Sequence, residues 1–276
     1  MPFNLKSILT AHGFTGKLLA HVMPWFGDGN THRVSYDSSS PNTIATQIQL
    51  MLSVGIEGII VTWQGPSTRF SHQVTLQLAT EVRALGMVFG ILLDPHVAAG
   101  GGTKEANVSA ALADPGFLAM WNNPAYLAEK YILDYSTGAD FTKVTLPPGA
   151  IVLANQKGFG WPNAYNGDNT RTLAELKSTN TAGMKIPAIT AGFIDAGQPT
   201  PLGVKPSAFT GTRNYGVNVW GSGPPRAIDH QAGALWLSTI DVLPPGCPYA
   251  GLVTWNDHDE GTGFEQWIAV LNGERI

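Results

Sequence analysis

The sequence is poor in charged residues and in cysteine, and each shortage excludes a class of protein. Lys, Arg, Asp and Glu make up only 13% of the 276 residues, and the net charge is −4. Nucleic-acid-binding domains usually carry a basic stripe, which this balance does not provide, so no nucleic-acid partner is expected. Cys247 is the only cysteine, so neither an intramolecular disulfide nor a zinc site of several thiolates can form.

Long hydrophobic runs are missing as well. No apolar stretch reaches the roughly 18 residues that a membrane span requires, so no membrane span is expected. Residues 1–17 lack a basic start followed by a long apolar block, and they do not resemble a secretory signal peptide. The sequence therefore leaves the localisation unassigned, although a surface rich in Gly, Ser, Thr, Asn and Pro suits an extracellular or cell-surface setting.

What the sequence does have is 43% hydrophobic residues, arranged in short apolar runs that alternate with amphipathic stretches. Seven runs predict strands buried on both faces: Leu18–Trp25, Gly58–Trp63, Met87–Leu93, Ile151–Asn155, Ala188–Phe193, Tyr215–Trp220 and Ala250–Trp255. Other stretches predict helices: Asn42–Leu52, Val74–Leu85, Pro124–Tyr135, Thr172–Ser178 and Ala227–Ile240. An eighth strand is expected near Tyr131–Tyr135 or Lys143–Leu146.

This alternation is typical of parallel β-α units and predicts an α/β protein. The length suits one (β/α)8 TIM-type barrel, and no repeat or linker divides residues 1–276, so a single domain is expected. A doubly wound open sheet is the rival fold. It usually has a glycine-rich turn after its first strand, whereas here that strand runs into Met23-Pro24-Trp25-Phe26.

Polar and aromatic residues collect where the predicted strands end, and in a barrel this end forms the active face. Aromatic rings can pack on the C–H faces of sugars, while carboxylates, amides and imidazoles bind the hydroxyls. The alternative is that the tryptophans cap the barrel core and the carboxylates lie on a solvated rim. We predict a sugar-binding role for these residues: His21, Trp25, Tyr36, Trp63, Gln64, Asp94, His96, Asn155, Asp195, Trp220, Trp255 and Asn256.

Asp257 and Glu260 follow the last predicted strand and are three residues apart. If the chain turns helical there, both carboxylates lie on one face, with Cβ atoms about 5–6 Å apart. Such a pair favours one protonated and one ionised group, which is what glycosidic cleavage requires. The alternative is an acidic helix N-terminus that only complements the helix dipole.

A metal site is a further alternative at two places. His258 could join the acids around it, and Asp94 and His96 could pair with His21. However, the sequence contains no His-Glu-x-x-His or comparable ligand motif, so we expect neither a metal nor another cofactor.

The terminal run Thr254–Glu265 resembles the last motif of the glycoside hydrolase family 71/99-like group, which includes endo-α-mannosidases and α-1,3-glucanases. It shares Trp-Asn-Asp with the glucanase branch and Glu-Gly-Thr-x-x-Glu with the mannosidase branch. Other similar segments are His21–Phe26, Tyr36–Ser38, Gln47–Pro66 and Ala191–Asp195. With the terminal run, these short segments are spread along most of the chain.

The resemblance implies a glycoside hydrolase that cleaves an α-linked, mannan- or glucan-type glycan. It identifies Glu260 as the general acid and Asp257 as the first catalytic carboxylate, where the mannosidase branch has Glu, and it adds Glu265 to the sugar-binding set. Thr62 stands where relatives often have Asp. The rival interpretations are a glycan-binding barrel without turnover and a metal-dependent hydrolase.

Overall fold

The computed structural model describes residues 4–27, 37–155, 157–160, 183–190, 193–195, 226–228 and 239–256. The elements in these ranges are α1 (Leu5–Ala11), β1 (Lys17–Val22), α2 (Pro41–Ser53), β2 (Gly58–Trp63), α3 (Arg69–Ala84), β3 (Val88–Leu93), α4 (Lys104–Leu112), α5 (Pro115–Trp121), β4 (Tyr131–Asp134), β5 (Ile151–Ala154), β6 (Ala188–Thr190), β7 (Phe193–Asp195), β8 (Arg226–Ile228) and β9 (Tyr249–Val253). A short 3₁₀ helix, Pro95–Ala98, follows β3. No helix in these ranges is both long enough and apolar enough to cross a bilayer.

Seven strands form one parallel sheet in the order β5-β4-β3-β2-β1-β9-β6. The central strands are buried along almost their whole length, as their continuous apolar sequences predict. β7 and β8 form a separate antiparallel pair. The alternation of parallel strands and crossover helices confirms the predicted α/β class.

The sheet is strongly curled. β4 and β9 are four strand positions apart, which would separate them by roughly 19 Å in a flat sheet. Instead, the rings of Tyr131 and Tyr249, the first residues of these strands, meet edge to face with centroids 6.5 Å apart. The Tyr249 hydroxyl also donates a 2.5 Å hydrogen bond to Glu129. The two tyrosines therefore face each other across the concave side of the sheet, as in a barrel.

The barrel is not closed by strand ladders within the described residues. Single parallel bridges join Asn155 to Phe159 and Phe159 to Ile186, between the β5 and β6 edges. The architecture is a curled half-barrel of seven parallel strands, which is consistent with a TIM-type fold but does not show the predicted eightfold closure.

Side-chain alternation sorts the strand residues between the concave interior and the outer face. The register pairs His21 with Ile60, so His21, Ile60 and Thr62 share the interior face. Val22 lies on the other face, where Ile44 of α2 and Val74 of α3 line the same crevice. The core is therefore split between the barrel interior and the layer under the helices.

Several predicted elements are confirmed with small shifts in their bounds, and β2 matches its predicted range. The helix predicted at Pro124–Tyr135 is wrong, because β4 occupies Tyr131–Asp134, which was one of the two places considered for an eighth strand. The helix predicted over Ala227–Ile240 is contradicted at its start by β8. The predicted helix Thr172–Ser178 and strand Tyr215–Trp220 lie outside the described residues.

Candidate functional site

Four polar side chains form a row along the C-terminal edge of the sheet, one on each of four adjacent strands. These are Gln64, Asp94, Tyr135 and Asn155, which we call the edge row. The strand register places Trp63, Leu93, Asp134 and Ala154 at one level, and the edge row is the next residue on each strand.

Backbone hydrogen bonds carry the sheet ladder into this row. The amides of Asp94, Tyr135 and Asn155 donate to the preceding strand at 3.1, 3.3 and 3.1 Å. Alternation puts the row on the same face as Thr62, which is the barrel interior. All four side chains are partly exposed. The structure therefore brings together three predicted residues, Gln64, Asp94 and Asn155, and adds Tyr135.

Asp94 and His96 form a pair at one point of this row. Asp94 caps the short 3₁₀ helix that follows β3, and its Oδ1 accepts hydrogen bonds from the His96 amide at 2.9 Å and from His96 Nδ1 at 2.5 Å. The His96 side chain is 65% exposed, whereas that of Asp94 is 17% exposed. This contact holds Nδ1 toward the carboxylate and leaves Nε2 to meet an incoming polar group.

His21 and Thr62 form a second pair, one layer deeper in the barrel. His21 Nε2 lies 2.5 Å from Thr62 Oγ1, and both side chains are buried. Burial lowers the pKa of His21 to about 3, so the ring is neutral at physiological pH. His21 was predicted to bind sugar, but here it is part of the barrel wall.

Trp63 is also a core residue in this structure, which does not fit the predicted sugar-binding role. Its ring is fully buried and lies 5.0 Å from that of Phe117. Its indole N–H donates to His72 Nδ1 at 3.0 Å, and His72 Nε2 lies 3.5 Å from Asp114. Because an indole can only donate, Nδ1 must be the unprotonated nitrogen of the neutral ring. Burial lowers the pKa of His72 and favours this form, although Asp114 opposes the shift.

Trp255 and Asn256 hold the end of the last strand against β1 and α2. Asn256 Oδ1 accepts from the Met23 amide at 2.7 Å, and its Nδ2 donates to the Met23 carbonyl at 3.0 Å. The Trp255 amide donates to the His21 carbonyl at 2.6 Å, and its indole N–H donates to Gln47 Oε1. Both side chains are buried, at 0% and 3% exposure, and their sugar-binding role stays a prediction.

Trp25 is partly exposed and remains a candidate for a sugar contact. The other predicted site residues lie where the structure gives no side-chain description: Tyr36, Asp195, Trp220, Asp257, Glu260 and Glu265. Among the described residues, no group of three or more His, Cys, Asp or Glu side chains could hold a metal ion.

Comparisons with known proteins find solved structures of similar fold. Two solved structures of a family 99 endo-α-mannosidase from Bacteroides thetaiotaomicron match the chain. One, in complex with bis-tris-propane, has 17% identity and a TM-score of 0.59, and the match covers 90% of this chain and 86% of that one. The other has 15% identity and a TM-score of 0.58, with 90% and 87% coverage.

The fold is similar to that of the family 99 enzymes. A further structure, a glycoside hydrolase-like protein, matches with 10% identity, a TM-score of 0.52 and coverage of 95% and 94%. No protein-family model matches the sequence, and no curated protein is significantly similar to it. At these identities the likeness establishes a common fold, and the likeness to family 71 stays a prediction.

Three residues of the candidate site or its supports were not predicted from the sequence. Tyr135 was not singled out because its segment was predicted as part of a helix and only alternatively as an eighth strand. Gln47 and His72 belong to helices on the outside of the sheet, and their partners are distant tryptophans. No local signal in the sequence connects such pairs.

Proposed function

We propose that the chain is a glycoside hydrolase that cleaves an α-linked, mannan- or glucan-type glycan. The observation that supports this most is the edge row, which joins an aromatic hydroxyl, a carboxylate and two amides on one interior face. Sugars are bound by this mixture of flat and hydrogen-bonding groups. The family 99-like fold also supports a glycosidase.

The catalytic groups in this proposal are Asp257 and Glu260. β9 ends at Val253. The Asn256 side chain is hydrogen-bonded to the backbone of Met23, just beyond β1, and Asp257 is the next residue in the sequence. Glu260 would protonate the departing oxygen, and Asp257 would act as the base or orient the nucleophile.

The edge row, His96 and Trp25 would bind and orient the sugar, together with the predicted residues Tyr36, Asp195, Trp220 and Glu265. Asp94 would keep His96 oriented toward a sugar hydroxyl. No resident cofactor is required for this chemistry.

The decisive experiment compares three carboxylate substitutions in the same motif. Glu260→Gln removes the transferable proton, and general acid catalysis typically contributes about 10²- to 10⁴-fold. The loss should be of this size for a natural α-glycan and much smaller for an aryl glycoside whose leaving group departs without protonation. Asp257→Asn should slow both substrates.

The matched control is Asp259→Asn. Asp259 lies between Asp257 and Glu260 in the sequence and has no catalytic role in this proposal, so the variant should keep a rate within about threefold of wild type. Wild-type rates in all three variants would overturn the assignment of the pair. Glycan binding without any turnover by the wild-type protein would favour the binding-module interpretation. Loss of activity on chelation, restored by added metal, would favour the metal-dependent hydrolase.

A further inference from the structure

Gln47 lies on α2, outside the sheet, yet it contacts the segment that leads to the proposed catalytic pair. Its Oε1 accepts the indole N–H of Trp255, two residues before Asp257. The spacing along the chain is 208 residues, so the contact joins an early helix to the end of the last strand.

The two neighbouring anchors act on the backbone. The Trp255 amide is bound to the end of β1, and the Asn256 side chain is bound on both sides of Met23. These bonds fix the path of the chain but leave the Trp255 ring to be held by its own surroundings.

The Trp255 ring is fully buried, with 0% exposure. It lies between the sheet and the two nearest helices, where the surrounding apolar side chains include Ile44, Met51, Val74 and Leu78. These side chains pack on the ring but offer its N–H no acceptor, and a buried donor left unpaired costs about 1–3 kcal/mol. The Gln47 acceptor therefore favours the one ring orientation in which the indole N–H is hydrogen-bonded.

We infer that Gln47 is a positioning residue, which fixes the Trp255 ring and through it the start of the segment carrying Asp257 and Glu260. This inference rests on the proposed hydrolase function. It also gives Trp255 a supporting role in place of a sugar contact.

The test is the kinetic effect of Gln47→Leu, which keeps the approximate size of the side chain and removes the acceptor. Displacing catalytic groups by about 1 Å can lower the rate by about 10²-fold. We expect kcat on α-mannan or α-1,3-glucan, measured by released reducing ends, to fall about 10- to 100-fold. KM should stay within about twofold, because the edge row is untouched.

Two further variants separate positioning from stability. Gln49→Leu is the matched control, because Gln49 is exposed on the same helix and Gln and Leu have similar helix propensities. It should leave kcat unchanged. Gln47→Glu keeps an oxygen acceptor for the indole and should restore most of the lost kcat.

Each outcome is decisive. If Gln47→Leu melts at a lower temperature but has the wild-type kcat per folded molecule, the contact is only structural and the inference is wrong. The inference is equally wrong if Gln47→Glu is as slow as Gln47→Leu. If the wild-type chain itself hydrolyses neither glycan, nor any other α-glycan, the proposed function fails, and the positioning role fails with it.

Discussion

The substitution His21→Gln tests how the barrel interior responds to acid. His21 is buried beside Thr62, and burial lowers its pKa to about 3, compared with about 6.5 in an unfolded chain. Below pH 6.5 the unfolded state binds a proton that the folded state excludes. Stability is therefore complete above pH 6.5 and is lost as the pH falls toward 3.

The size of the effect follows from the shift. Each pH unit in this window costs about 1.4 kcal/mol, so the loss reaches roughly 3 kcal/mol at pH 4.5 and about 5 kcal/mol at pH 3. Domains of ordinary stability have about 5–15 kcal/mol in total, so His21 alone would account for a large share of acid unfolding.

The assay is urea unfolding at several pH values between 7 and 4.5, for wild type, His21→Gln and the control His12→Gln. The side chain of His12 is 40% exposed, so this control removes a histidine without changing the barrel interior. Carboxylates titrate in all three proteins, and their contribution cancels in the difference between wild type and His21→Gln, whereas the control also loses the 2.8 Å contact of His12 with Asp241 at the surface. The stability difference between wild type and His21→Gln should change by about 1.4 kcal/mol per pH unit, to the disadvantage of wild type at low pH. A difference that stays constant with pH, or a His21 ring that titrates near pH 6.5 by NMR, would refute the argument.

Substitutions at three further positions test the framework by urea unfolding. Asn256→Ala leaves both backbone groups of Met23 without their buried partner, so we expect a loss of roughly 2–4 kcal/mol. Lys130, at φ 54°, donates to the Trp121 carbonyl. Lys130→Ala should therefore cost more than Lys130→Gly, by about 1 kcal/mol, because glycine tolerates this backbone conformation. Gly58→Ala would place a Cβ 2.6 Å from the Val88 carbonyl oxygen on the neighbouring strand β3, so a loss of about 1–3 kcal/mol is expected. Wild-type stability of this variant would contradict the close approach of β2 and β3 at this position.

Sequence periodicity was enough to predict the class of fold and most central strands, because strands buried on both faces are continuous apolar runs. It failed over Pro124–Tyr135, where helix-like spacing continued into β4. The turn into β4 is made by Lys130 in a left-handed conformation, held by the Trp121 carbonyl and by two aromatic rings. These are tertiary contacts, so the local pattern could not reveal where the strand begins.

The candidate site was predictable where a polar residue follows a confidently assigned strand, as with Gln64, Asp94 and Asn155. It was not predictable which strand-end tryptophans face the cleft. Trp63 and Trp255 are buried because helical residues, His72 and Gln47, accept their indole hydrogens. A tryptophan with a buried acceptor is stable in a core, and that acceptor lies far away in the sequence.

The two buried members of the terminal motif change how such a motif is interpreted. Residues around a strand end alternate between the interior and the outer layer, so a continuous motif cannot present every side chain to a ligand. Here the Trp255 indole is directed to α2, and the Asn256 side chain is directed to the backbone of Met23, just beyond β1. If these two residues serve as the anchor, the chemistry is left to Asp257 and Glu260.

The motif then has two separable parts, which kinetics can distinguish. Substitutions at Trp255, Asn256 or Gln47 should alter kcat by displacing the catalytic groups, whereas Glu260→Gln should alter kcat by removing the proton that is transferred. A displaced segment should slow natural and activated substrates alike, because it carries Asp257 as well as Glu260, whereas Glu260→Gln alone should have little effect on an activated leaving group.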